Sequence, residues 1–127
     1  PNTDIITDNI SDEELLNYYQ TSKGILLSLV DCTASNTILE ALSTGCPLIT
    51  NNVGAVKNYI PVESGVKVFE TNEIFESVQF IQKLIINEEF CIDIAKRQRC
   101  LAMEYKWDNI AKITKSFILN KQLCVDF

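Results

Sequence analysis

The stretch Ile25–Gly54, ILLSLVDCTASNTILEALSTGCPLITNNVG, decides the fold. Ile25 to Val30 is an unbroken apolar run, as expected for a strand buried on both faces of a parallel sheet. Asp31 to Ser35 is small and polar, a loop at the strand's C-terminal end. Asn36 to Thr44 has helical spacing and is closed by Gly45. Pro47 to Thr50 then gives a second buried strand, with Asn51 and Asn52 at its end. Strand, helix and strand in so few residues imply an α/β domain with a mostly parallel sheet and right-handed crossovers.

Working outward, Asp4 to Thr7, centred on Ile5 and Ile6, reads as a strand. Ser11-Asp12-Glu13-Glu14 has the form of a capping box and opens a helix running to about Ser22. Val53 to Ile60 reads as a short helix stopped by Pro61, and Gly65 to Phe69 as a last strand. Three helices follow: Glu73 to Ile86, Glu88 to Lys106 and Trp107 to Asn120. The expected total is about four strands and six helices. The organisation is one domain over 1–127, with 88–127 a C-terminal helical extension.

The chain has 127 residues, enough for one domain. It carries 17 acidic and 11 basic residues, a net charge of -6. That balance argues against a nucleic-acid polymer or an anionic membrane as partner. There is no His, so Ser-His and Cys-His catalysis and His-ligated metals are excluded. Five irregularly spaced Cys without a CxxC pair suggest plain thiols in a reducing, cytoplasmic compartment. No apolar run is long enough to span a bilayer. The chain opens on Pro1 rather than Met, which reads as an excerpt or a processed product.

In open α/β sheets, ligands bind beyond the C-terminal strand ends, against helix N-termini. The junction Asp31–Thr37 is the richer of two such places. Small residues there expose backbone amides, which with the helix dipole suit a phosphate. At 100° per residue, Glu40 shares a face with Asn36 and Ser43, away from Ile38, Leu39 and Leu42. A carboxylate so placed can accept hydrogen bonds from a ribose diol. The structural alternative is that Thr37-x-x-Glu40 is itself a capping box. For Asp31 and Asn36 it is a turn or cap role. Thr50, Asn51 and Asn52 line the same cleft or serve as turn residues. Gly54 suggests a special backbone position. Trp107 reads as an anchor for the last helix, and Lys96, Arg97 and Arg99 as a solvated helix face.

Asp31 to Gly54 resembles the donor-site segment of retaining GT-B glycosyltransferases, particularly glycosyltransferase family 4. The Glu-Ala-x-x-x-Gly-x-Pro pattern at Glu40, Ala41, Gly45 and Pro47 carries the resemblance. Ile10 to Leu15 with Tyr18 and Tyr19, and Trp107-Asp108 before the last helix, extend it. It implies a partial GT-B C-terminal domain, Rossmann-like with helices on both faces of the sheet, that binds a nucleotide sugar. Glu40 would hold the ribose, and Thr33, Ala34, Ser35, Asn36 and Thr37 would present amides to the diphosphate. Asp31 would lie near the sugar, as a possible catalytic residue. Asp31 stands where the family has Glu, with eight residues rather than seven between it and Glu40. The activity implied is hexose transfer from a UDP- or GDP-sugar to an acceptor. No metal or other cofactor is expected. The basic residues of the family's first strands and its acceptor domain have no counterpart here. The chain alone would then be inactive, and an acceptor-binding domain or subunit would be its partner. The alternatives are a non-catalytic nucleotide-sugar-binding subunit of a two-chain enzyme, a fragment of a doubly wound sugar-phosphate epimerase, and a remnant held only by packing.

Overall fold

The computed structural model describes residues 3–70 and 72–122. The elements run α1 (Asp12–Thr21), β1 (Ile25–Leu27), α2 (Asn36–Thr44), β2 (Leu48–Asn51) and α3 (Val56–Tyr59). A single 3-10 turn (Val62–Ser64) leads to β3 (Lys67–Phe69), then α4 (Ile74–Ile86), α5 (Glu88–Glu104) and α6 (Trp107–Gln122). The three strands form one parallel sheet in the order β1-β2-β3. Leu26 lies opposite Ile49, and Thr50 opposite Leu27 and Val68. The α/β class and the six helices agree with the sequence.

The fourth strand does not form. Residues 4–7 have no regular structure, and Ile5 and Ile6 are exposed. Two adjacent isoleucines suit a strand, but a strand needs a neighbour to satisfy its backbone. β1 also stops at Leu27, short of the expected Val30, which is fully exposed.

The helix boundaries follow local chemistry. Ser11 caps α1, and Glu14 reaches back to the Ser11 amide, as the capping box predicts. Gly45 ends α2 with φ of 74°, while the Cys46 amide donates to the Ala41 carbonyl. That is a Schellman closure, which a left-handed glycine makes easy. α3 starts later than expected, because Gly54 has φ of 52° and interrupts a helical start.

β2 is the buried centre. Its residues alternate between two apolar clusters, as strand geometry requires. Leu48 packs with Ile38, Ala41, Leu42 and Val56, joined by Tyr19 of α1. Ile49 points the other way, onto Leu84 of α4 and Ile94 of α5. Helices therefore cover both faces of the sheet. α5 also meets β2 through Gln98, whose Oε1 accepts from the Leu48 amide at 3.2 Å. The cover is thinnest over β1, where Leu26 remains 61% exposed.

Trp107 does not anchor the last helix. It is the first residue of α6 and is 86% exposed. Ile113, Phe117, Ile118 and Leu119 are also exposed, so the apolar side of α6 is not buried against the sheet. Lys96, Arg97 and Arg99 form the exposed face expected, with Arg97 paired to Asp93 four residues earlier.

Candidate functional site

The C-terminal ends of β1 and β2 lead into two loops that touch. Ala55 donates its amide to the Cys32 carbonyl at 2.7 Å, and Gly54 lies flat against the same carbonyl. A Cβ on Gly54 would sit 2.1 Å from the Cys32 oxygen and 2.8 Å from Asp31 Oδ1. The glycine is thus required for close approach as well as for its positive φ. Asn51 adds a second tie. Its Oδ1 accepts from the Leu29 amide at 2.8 Å, and its Nδ2 donates to the Leu29 carbonyl at 2.7 Å.

These ties position the start of α2. Ser35, not Thr37, is its cap: the Ser35 hydroxyl accepts from the Ile38 amide. The reading of Thr37 and Glu40 as a capping box is therefore overturned. The two residues stand in the first and second turns, and Ser35 already occupies the cap position. First-turn amides of a helix have no intrahelical acceptor, so the start of α2 offers donors at the end of the parallel sheet. Thr33, Ala34 and Asn36 are exposed there, and Ser35 and Thr37 half-buried.

Asp31 uses Oδ1 to accept from the neighbouring Cys32 amide at 2.8 Å. That is a turn role, and Asn36 is not a cap but the first helical residue. Thr50 does not line the cleft; it is fully buried in the sheet. Asn52 turns away from this junction and donates to Glu70 Oε1 at 2.8 Å. Lys57 pairs with the same oxygen at 2.6 Å. These contacts, the Lys57 hydrogen bond foremost, hold the Glu70 carboxyl below the usual range.

Glu40 is exposed, one turn into α2, on the face expected. Its carboxylate is not loose. The Tyr19 hydroxyl donates to Glu40 Oε2 at 2.8 Å. Burial first, and then the Glu40 carboxylate, push the Tyr19 phenol up to about 12. The phenol is therefore a donor across the physiological range. Glu40 itself lines a shallow groove of about 280 Å³, together with Leu39, Ser43, Ala102, Tyr105 and Lys106.

The sequence put Asp31, the loop at 33–37 and Glu40 at one strand end, and the structure places them on successive parts of one junction. The Tyr19–Glu40 bond joins two helices and is not visible in the pattern of either. The available signal was a tyrosine on the apolar side of α1, since a buried phenol usually finds an acceptor. Among the described residues no group of three or more His, Cys, Asp or Glu is arranged to hold a metal ion. No helix among them is long and apolar enough to cross a membrane.

No protein-family model matches the chain, and no curated protein matches it.

Proposed function

We propose that this chain is the donor-binding part of a glycosyltransferase of the GT-B, family 4 type, which takes a hexose from a UDP- or GDP-sugar. One observation carries the reading: an exposed carboxylate, Glu40, stands one turn inside a helix whose N-terminus opens beyond the C-terminal ends of parallel strands. The amide-rich start of α2 suits a diphosphate. Glu40 follows about one turn along the helix, about 5 Å from those amides. Glu40 then accepts from the ribose hydroxyls. Negative charge that builds on the departing nucleoside diphosphate is met by the helix start and its amides. An acceptor-binding domain or subunit supplies the other half of the reaction.

Calorimetric titration of the full chain with UDP, GDP and their hexose conjugates tests the proposal. Saturable binding of one nucleotide type, lost in Glu40→Ala, is expected. No binding at millimolar nucleotide, or binding that Glu40→Ala leaves unchanged, overturns it.

A further inference from the structure

We infer that Tyr19 is a positioning residue that makes Glu40 selective for ribonucleotides over 2′-deoxynucleotides. The inference rests on the donor-site reading above and adds a residue and a specificity to it.

An exposed glutamate on a helix ordinarily samples several rotamers, and its carboxylate has no fixed plane. Glu40 is different, because Tyr19 Oη holds Oε2 at 2.8 Å. Tyr19 is itself fixed. Only 6% of it is exposed, and its ring is packed in the core cluster beside Leu42 and Cys46. A rigid donor on one helix therefore sets the carboxylate of the next. The contact also divides the carboxylate's work. The phenol takes one acceptor position on Oε2, which leaves the other position of Oε2 and both of Oε1 to a ligand approaching from solvent. A vicinal diol offers two hydroxyls to a carboxylate held in one plane. A 2′-deoxyribose offers one and leaves the other acceptor position unmet. An analogue that lacks a hydroxyl is rejected when it leaves the site's acceptor without its partner, and a carboxylate held in one plane cannot turn to recover that bond. The phenol stays protonated throughout the range in which nucleotides bind, so the device does not switch off near neutrality.

The test uses the full chain, with UDP and GDP each compared with its 2′-deoxy counterpart. In the wild type the ribonucleotide is expected to bind about tenfold more tightly than the deoxynucleotide. Tyr19→Phe keeps the buried ring and removes only the hydroxyl. It is expected to bring that ratio to about one, with a modest fall in melting temperature. Glu40→Gln should also lose the ratio, and adding Tyr19→Phe to it should change nothing more, since both act through one contact. A wild type that binds neither nucleotide overturns the donor-site reading, and this inference with it. A wild type that prefers the ribonucleotide while Tyr19→Phe keeps the full preference overturns this inference alone.

Discussion

The Asn51 side chain continues the sheet where the backbone of β1 leaves it. Its amide donates to the Leu29 carbonyl at 2.7 Å and accepts from the Leu29 amide at 2.8 Å. β1 ends at Leu27, so Leu29 would otherwise lack a ladder partner from β2. One side chain thereby carries β2's direction into the loop that precedes α2. Asn51→Ala removes both bonds and leaves two part-buried backbone groups unmatched. A loss of about 2 kcal/mol is expected, read from the urea midpoint. Asn51→Asp should be as damaging, because a carboxylate cannot donate to the Leu29 carbonyl. A loss below about 0.5 kcal/mol in both variants would mean that water replaces the amide.

Gly54→Ala is expected to be the most damaging small substitution in the junction. The new Cβ would meet the Cys32 oxygen at 2.1 Å, and φ of 52° disfavours any side chain. Backbone must move, so a cost of about 3 kcal/mol or more is expected in thermal or chemical denaturation. A melting temperature equal to wild type would show that the two loops do not press together as described.

Thr50→Val should stabilise the chain. Thr50 is fully buried, and its Oγ1 has no hydrogen-bond partner among the described residues. Valine has nearly the same shape and no hydroxyl to desolvate. A gain of about 1 kcal/mol is expected, seen as a higher denaturant midpoint with an unchanged slope. A loss instead would reveal that the hydroxyl has a partner, such as an internal water.

Alkaline stability should depend on Tyr19. Its phenol is raised from 10.0 to about 12 in the folded chain. The folded state therefore holds this proton more tightly than the unfolded state. The stabilisation is fully present below about pH 10 and is lost as pH rises towards about 12. Cys46 is also raised, to about 11, chiefly by burial, so the wild-type decline has both contributions. Tyr19→Phe should flatten the upper part of the curve, while Glu40→Gln should shift the tyrosinate absorbance transition to lower pH. An identical alkaline curve for wild type and Tyr19→Phe would count against the burial of Tyr19, and an unshifted tyrosinate transition in Glu40→Gln against the Tyr19–Glu40 contact.

Much of the fold is legible locally. Ser11 and Glu14 form their capping box from a four-residue pattern. Asn36 to Thr44 becomes a helix closed by Gly45, at the bounds read from spacing and glycine alone. The apolar runs at Ile25 and Leu48 become neighbouring parallel strands. Two of the failures are matters of partnership. Ile5 and Ile6 look like a strand, yet among the described residues none pairs with them in the sheet. Trp107 looks like an anchor, yet it stands exposed at the head of α6.

The site divides in the same way. Residue order alone fixes that Asp31, the small loop and Glu40 gather at one strand end, because a βαβ unit can put them nowhere else. It also fixes which face of α2 Glu40 takes, through the 100° step of the helix. Tertiary structure alone decides that Asn51 is bound to Leu29, that Gly54 presses on Cys32, and that Tyr19 holds Glu40. Those pairs lie 21 or 22 residues apart in the chain. Local periodicity sets the direction a side chain takes from its own helix or strand, but the neighbour it meets depends on how separate elements pack.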